Sequence, residues 1–567
     1  MFSSCAGTAA GRLVLVSFEQ EQCVVLQDRQ EAVTVIQTHP ERSVLLLGRA
    51  NGSLSLIDYA KKEVMVTFTL DCKLGADPVP ITSLCYSPNG TVLACGRANG
   101  SLYVLHPVLL HPVTAHPFHK TRTAVHHLCF SPDNMFMAHS DGANFVSAYR
   151  WLSEHRWVYL GKKQLHTKPV RGLLFGPQPC AAPLFSFGED HILVEYDVAN
   201  SLNSTLLVTR FDNIEPSGLP LSVTWCPVNG DEPVLLIATS EFKYRLVDLT
   251  TRSVCGTAQG PRLHTTVSAI QTIGGAAARA PATAVYATQR RLGLQCLPPD
   301  GNPFKNVAMI VHPVKLMAFV ISPCEEFVFT CGSQDHGVLM WRVNRAAAEA
   351  LLEGAGAGGR RSGPELEPWL LSVEGGREGW LVQAMRDMFC YAQMLHQGTL
   401  STEPRLITDS LPVCELPDVM RALGFFPSQS QINTMVSEVL NRCGENLSSS
   451  DLVKLYVNHK PVFGTALAKL REAFDAFAYP IEGTDETAMT REKFLSILLD
   501  RGEALDLDEA QSVLRELLQV ETDTEAEGQY SYLLMDEASR REKLFYYLPE
   551  TITFSYFVDT LLGIVKK

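Results

Sequence analysis

The sequence predicts an all-β propeller followed by an all-α region, and three observations carry that division. A seven-residue phrase, Gly48-Arg49-Ala50-Asn51-Gly52-Ser53-Leu54, returns 48 residues later as Gly96-Arg97-Ala98-Asn99-Gly100-Ser101-Leu102. After residue 376 the hydrophobic period changes from about two residues to about 3.6, from strand to helix spacing. Charge divides earlier, at residue 344. Residues 344–567 carry 21 Lys+Arg against 35 Asp+Glu, whereas residues 1–343 carry 27 against 26. A chain of 567 residues exceeds what one core sustains, so two or more domains are expected.

The repeated phrase sets the first architecture. Asn-Gly between apolar runs predicts a type I′ hairpin turn, because both residues tolerate positive φ. Thr91–Cys95 and Leu102–Leu105 are such runs around the second copy. A strand–turn–strand unit at this period points to propeller blades, whose repeats run about 40 to 45 residues. Markers at the end of the first strand recur at Pro40, Ser87-Pro88, Ser131-Pro132, Gly176-Pro177, Cys226-Pro227, near Ile273, and at Ser322-Pro323. Seven markers predict seven blades over residues 1–343.

A side-chain pattern then gives the blades a family resemblance. His312 stands nine residues before Ile321, and Asp335 six before Trp341; His166 stands nine before Phe175, and Asp190 six before Tyr196. His264 keeps the first spacing to Ile273 without the turn Asp. A buried imidazole and carboxylate are tolerated when they bond each other. These residues resemble the structural network of WD-repeat β-propellers, which implies that His166, Asp190, Tyr196, His312, Asp335 and Trp341 hold blades together and do no chemistry. The last blade reaches Val343 with three strands, so residues 21–26 are expected to supply its fourth. Arg12–Phe18 is then a spare strand.

Six histidines, His106, His111, His116, His119, His126 and His127, fall within 22 residues among Pro107, Pro112 and Pro117. They read as a solvated, mobile inter-blade loop, although His is a metal ligand type. The 15 cysteines show no Cys-x-x-Cys pair and sit mostly in apolar runs, as buried free thiols of a reducing compartment do. The near-neutral ring lacks the basic footprint of a nucleic-acid binder. No secretory signal and no apolar stretch near 20 residues is present, so an intracellular soluble protein is expected, with no membrane partner.

Residues 344–376 read as a flexible linker. Gly354–Gly359, GAGAGG, lacks the Gly-Lys-Ser/Thr ending of a phosphate loop. The acidic helical region, 377–567, opens with Trp380, Leu381, Ala384, Met385 and Met388 on one helical face. A helix ending at Leu423-Gly424, with Pro427-Ser428 starting the next, resembles the exit helix and linker of a calmodulin-like EF-hand pair. EF-hand loops place an apolar residue eighth and a bidentate Glu twelfth. Four frames fit, with Leu411, Leu447, Met489 and Ile552 eighth and Glu415, Asp451, Lys493 and Tyr556 twelfth. The ligands do not fit: Pro404 and Leu406 would be first and third in the first loop, and Lys493 stands where a metal's main ligand belongs. The frame therefore predicts a degenerate pseudo-EF-hand region without cofactor, Glu415 being the one weak calcium candidate. The acidic run Glu521–Glu527 reads as a solvated loop.

A divergent propeller, then Gly375–Trp380, Glu415–Ser428 and Tyr456–Gly464, resembles the WD-repeat cilia- and flagella-associated protein of the calmodulin- and spoke-associated complex of motile axonemes. The resemblance implies a non-enzymatic scaffold near the radial-spoke base, in the axoneme of a cilium or flagellum, and so in cytoplasm and cytoskeleton. It implies partners among the other subunits of that complex, radial-spoke and axonemal proteins, and calmodulin. It also implies an upstream propeller that this chain lacks. The alternative is a calcium-responsive module acting through the helical region. No nucleophile–base arrangement, phosphate loop or metal signature supports an enzyme.

Overall fold

Runs of Val, Leu and Ile broken by Gly- and Asn-containing turns build eight successive antiparallel sheets from residues 3 to 342. The computed structural model describes the chain apart from residues 1–2, 19–21, 29, 71–77, 115, 153–155, 178–182, 203, 215–217, 227–233, 252, 262–264, 274–281, 323, 334–336, 345–365, 399–403, 463–466, 482–485, 503, 519–540, 542–543 and 564–567. The first sheet has three strands, Ser3–Gly7, Arg12–Ser17 and Gln22–Asp28. Six four-stranded sheets follow, at 33–69, 81–119, 125–164, 170–213, 220–259 and 269–310, and a three-stranded one at 316–342. The fourth and fifth join where Gly161 and Lys162 pair in parallel with Ser204 and Thr205.

Each neighbouring pair of sheets has its own apolar cluster. Leu13 meets Leu45 and Leu47 between the first and second sheets. Leu46 meets Ile81 between the second and third, and Val285 meets Val328 between the seventh and eighth. Central strands such as Val44–Arg49 are therefore buried on both faces. Burying each such Leu stabilises the fold by about 1.5–3 kcal/mol. Between the eighth sheet and the first, Phe18 lies on Phe329 with ring centroids 5.4 Å apart.

The structure corrects the predicted ring closure. Residues 22–28 do not complete the last sheet; they pair antiparallel with Arg12–Ser17, from Arg12 opposite Asp28 to Ser17 opposite Gln22. The short connection between these strands makes their pairing entropically cheaper than closure across some 300 residues. Register shifts identify the missing member. The shift at Leu13/Val14 matches the third-to-fourth-strand shifts at Leu56/Ile57 and Leu246/Val247. The first sheet thus holds second, third and fourth strands, and the seven markers count the seven sheets that begin with an inner strand.

The repeated turn also differs from the I′ expectation. Gly52 and Gly100 have φ of +77° and +81°, whereas Asn51 and Asn99 keep negative φ. Gly52 N–H bonds Arg49 O at 3.1 Å, and Asn51 Oδ1 accepts from Ser53 N–H and O–H. This is a type I turn followed by a left-handed Gly, the three-residue hairpin loop. A Cβ at Gly100 would stand 2.4 Å from Thr121 O. The histidine-rich segment is likewise more ordered than a mobile loop: Phe118–His119 pairs with Ser101–Leu102 as the outer strand of its sheet. His106 and His111 stack at 5.1 Å.

The helical region begins inside the predicted linker, with α1 (Glu367–Ser372) burying Trp369 and Leu370. Those two apolar side chains outweigh the neighbouring glycines. The Gly-rich run 354–359 lies outside the described residues. Next come α2 (Trp380–His396), α3 (Leu416–Ala422), α4 (Gln429–Cys443), α5 (Ser449–His459), α6 (Leu467–Asp475), α7 (Arg491–Asp500) and α8 (Leu507–Leu517). The chain divides into two compact units, 1–425 with 434–460, and 426–433 with 461–567. The division falls within the acidic region rather than before it. In the second unit Phe474, Met489, Phe494, Leu514, Ile552 and Phe554 make one core.

Candidate functional site

The residues expected to form the blade network meet through hydroxyl groups. His166 Nδ1 lies 3.0 Å from Asp190 Oδ1, and its Nε2 is 2.7 Å from the Ser186 hydroxyl. Tyr196 Oη is 3.1 Å from the same hydroxyl. In the last sheet the Thr330 hydroxyl lies 3.0 Å from His312 Nε2 and accepts from Trp341 Nε1–H at 2.9 Å. Asp335, His264 and the run Glu521–Glu527 lie outside the described residues. Sequence spacing located the His and aromatic ends; it missed Ser186 and Thr330, the hydroxyls that join them.

The helical loops meet in pairs. Leu411 is opposite Leu447, and Met489 is opposite Ile552, each in a short antiparallel bridge. Those are the four apolar positions the frame singled out. The residue after each of the last three caps the following helix: Ser448 Oγ accepts from Asp451 N–H, Thr490 Oγ1 from Lys493 N–H, and Thr553 Oγ1 from Tyr556 N–H. Caps of this kind satisfy amides that a helix start leaves free. Asp451 closes a capping box with Ser448, so its carboxylate serves the helix end.

The first loop is held by amide side chains from α2. Gln393 Nε2 donates to Thr408 O at 2.8 Å, and Gln393 Oε1 accepts from Thr408 N–H at 2.9 Å. One turn later, Gln397 repeats the pattern on Leu406, at 2.7 and 3.0 Å. Two glutamines four apart share a helix face, and that spacing was the available signal. They tie backbone at the third and fifth loop positions, where an ion would draw on side-chain oxygens. Glu415, at the twelfth, faces His396: its Oε1 is 3.1 Å from Nδ1.

The most buried polar constellation joins α4 and α5 to the sheet at 220–259. Its outer strand, Ser253–Gln259, lies at the edge of that sheet. Glu438 Oε2 accepts Thr257 N–H at 3.1 Å, and Asn458 Oδ1 accepts Gln259 N–H at 3.1 Å. Lys243 Nζ donates to His459 O at 2.6 Å. Asn458 Nδ2 donates to Asp300 O at 3.2 Å. Lys243, Glu438, Asn458 and His459 are each no more than 3% exposed. Burial pushes His459 below the ordinary His range even though Glu438 Oε2 stands 2.9 Å from its Nε2, and the charges of Lys243 and Arg245 push the same way. Gly301 completes the seat, with φ +87° and no room for a Cβ, which would lie 1.9 Å from Asn458 Oδ1. Sequence reading marked Tyr456–Gly464 only through resemblance; two polar residues ending the short apolar run Leu455–Val457 were the physical signal.

Fold and site together define a class, a mostly β region of repeated antiparallel sheets followed by a helical region. A WD-domain, G-beta-repeat family model matches residues 68–105, and the one described as "CFAP251 C-terminal domain" matches residues 380–562. Homologues across species are named "Cilia- and flagella-associated protein 251". That of Pongo abelii is 28% identical over 550 residues, covering 94% of this chain and 46% of the relative. That of Mus musculus is 29% identical over 494 residues, covering 85% and 37%. That of Chlamydomonas reinhardtii is 24% identical over 510 residues, covering 87% and 49%. The chain spans less than half the length of these curated relatives.

Proposed function

We propose that the chain is a non-enzymatic structural scaffold of the motile-cilium axoneme, helping to assemble or anchor radial spokes and so regulating ciliary beating. The relatives' shared name supports the ciliary placement. The observation that carries the scaffold reading is the seat at Thr257 and Gln259. Buried contacts from Glu438, Asn458 and Lys243 fasten α5 and the C-terminal part of α4 to the sheets. A surface fixed in this way suits the assembly of several proteins better than it suits opening and closing. The partners on this reading are the other subunits of the calmodulin- and spoke-associated complex, radial-spoke and axonemal proteins, and calmodulin.

The experiment is fractionation of axonemes from cells expressing a tagged chain. The chain resists salt extraction and is lost together with the spokes. A freely soluble chain overturns the reading. Calcium titration of the full chain by calorimetry tests the calcium-responsive alternative. The scaffold reading expects no heat and no change in helix content at micromolar calcium, because Gln393 and Gln397 already order the first loop.

A further inference from the structure

Three donors of different kinds converge where α2 ends and α3 begins. His396 is the last residue of α2, and Cys414 and Glu415 lie in the turn that leads into α3. Their ligand atoms all lie within 4.8 Å of one another. His396 Nδ1 is 3.1 Å from Glu415 Oε1, and Cys414 Sγ is 3.8 Å from the same oxygen. Tetrahedral zinc with bonds of about 2.0–2.1 Å to N, 2.0–2.2 Å to O and 2.3 Å to S sets its ligand atoms roughly 3.3–3.7 Å apart. The observed spacings bracket that range, so small side-chain rotations suffice. All three groups reach solvent, which gives an ion an entry path. The C-terminal end of the 17-residue α2 adds a negative dipole end beside the site.

We propose that His396, Cys414 and Glu415 form a zinc site, with solvent as the fourth ligand. The donor set decides the metal. Calcium takes six to eight oxygens, whereas here one carboxylate stands with an imidazole and a thiol, and Pro404 and Leu406 bring no side-chain oxygen to the loop. Nitrogen and thiolate donors suit zinc. On binding, Cys414 releases its thiol proton to solvent, His396 gives its Nδ1 lone pair with the proton on Nε2, and Glu415 exchanges its hydrogen bond for a metal bond. No redox change occurs. The ion would staple the end of α2 to the start of α3 and close the segment between them, so that a loop unsuited to calcium is fastened by a different metal.

The test uses the chelator-treated, reduced full chain with cobalt(II) as the spectroscopic probe and zinc(II) as competitor. One equivalent of cobalt gives the visible bands of tetrahedral coordination and a thiolate charge-transfer band, and zinc bleaches both. Cys414→Ser removes the charge-transfer band. His396→Ala and Glu415→Gln each weaken zinc binding more than about 100-fold, beyond the roughly 10–100-fold that loss of an outer-shell partner costs. Cys443→Ser, at another exposed thiol, changes nothing. All four side chains are accessible, and circular dichroism verifies the fold of each variant. The proposal is overturned if wild type binds no stoichiometric cobalt or zinc. It is equally overturned if Cys414→Ser and His396→Ala bind as wild type does, or if millimolar calcium displaces the cobalt.

Discussion

The two halves of the helical region share a loop frame and are held by opposite means. In the first half Leu411 pairs with Leu447, and the helices that follow are seated by Glu438 and Asn458 on backbone amides and by the His459 carbonyl on Lys243 Nζ. In the second, Met489 pairs with Ile552, and stability comes from rings: Phe474 lies 5.4 Å from Phe554 and 5.6 Å from Phe557. One loop geometry can thus rest on a directional polar seat or on a non-directional apolar core. The first resists any change of partner, whereas the second resists mainly loss of volume.

The largest effects should separate the halves. Phe474→Ala should cost about 3–5 kcal/mol through the cavity it leaves. Glu438→Ala should cost about 1–3 kcal/mol for each buried group it strands, the Thr257 amide and the His459 ring. Hydrogen exchange tells them apart. Glu438→Ala should release the amides of Thr257 and α5 while α7 stays protected, and Phe474→Ala should do the reverse. Release of both halves by either variant would mean that they are one cooperative unit.

Acid should also divide them. The second half, from residue 461, has no histidine, whereas His459 sits in the first. The folded His459 is held below its ordinary value. Unfolded chains therefore bind the extra proton first as pH falls below about 6.5, and stability drops down to the folded pKa. His139 in the fourth sheet, pushed down to about 4 by burial, acts in the same sense. Protection of α5 amides, relative to their intrinsic exchange rate at each pH, should fall between pH 6.5 and 5 while that of α7 is unchanged; equal protection at both pH values would remove His459 from the account. The smallest contrast is in the caps. Ser448→Ala and Thr490→Ala should each cost about 1 kcal/mol, since Asp451 and Lys493 amides are capped alike. A much larger loss at Ser448 would show that its box with Asp451 also supports the seat.

Legibility in the sequence followed the range of each interaction. Strand repeats, the His166 and His312 spacings, and the eighth-position residues all depend on local period, and all were readable. Glu438 and Thr257 are 181 residues apart, and no period links them. Gln393 acts across 15 residues on a backbone group that has no sequence signature. The closing strand failed for a related reason: Gln22–Asp28 has the same composition whether it pairs with Arg12–Ser17 or with Val338–Arg342, and only the bulge register separates the two.

The seat on Ser253–Gln259 has a consequence for how the chain tolerates change. Thr257 and Gln259 offer amide hydrogens, which every residue but proline possesses. The outer strand can therefore drift in side-chain identity while the docking instructions stay on the helices, with Lys243 and Gly301 as the exceptions on the sheet side. Transplanting the helices onto a neighbouring sheet would then require few matching residues: an outer edge with unpaired amides at the same pitch, a lysine below it, and a glycine beside it.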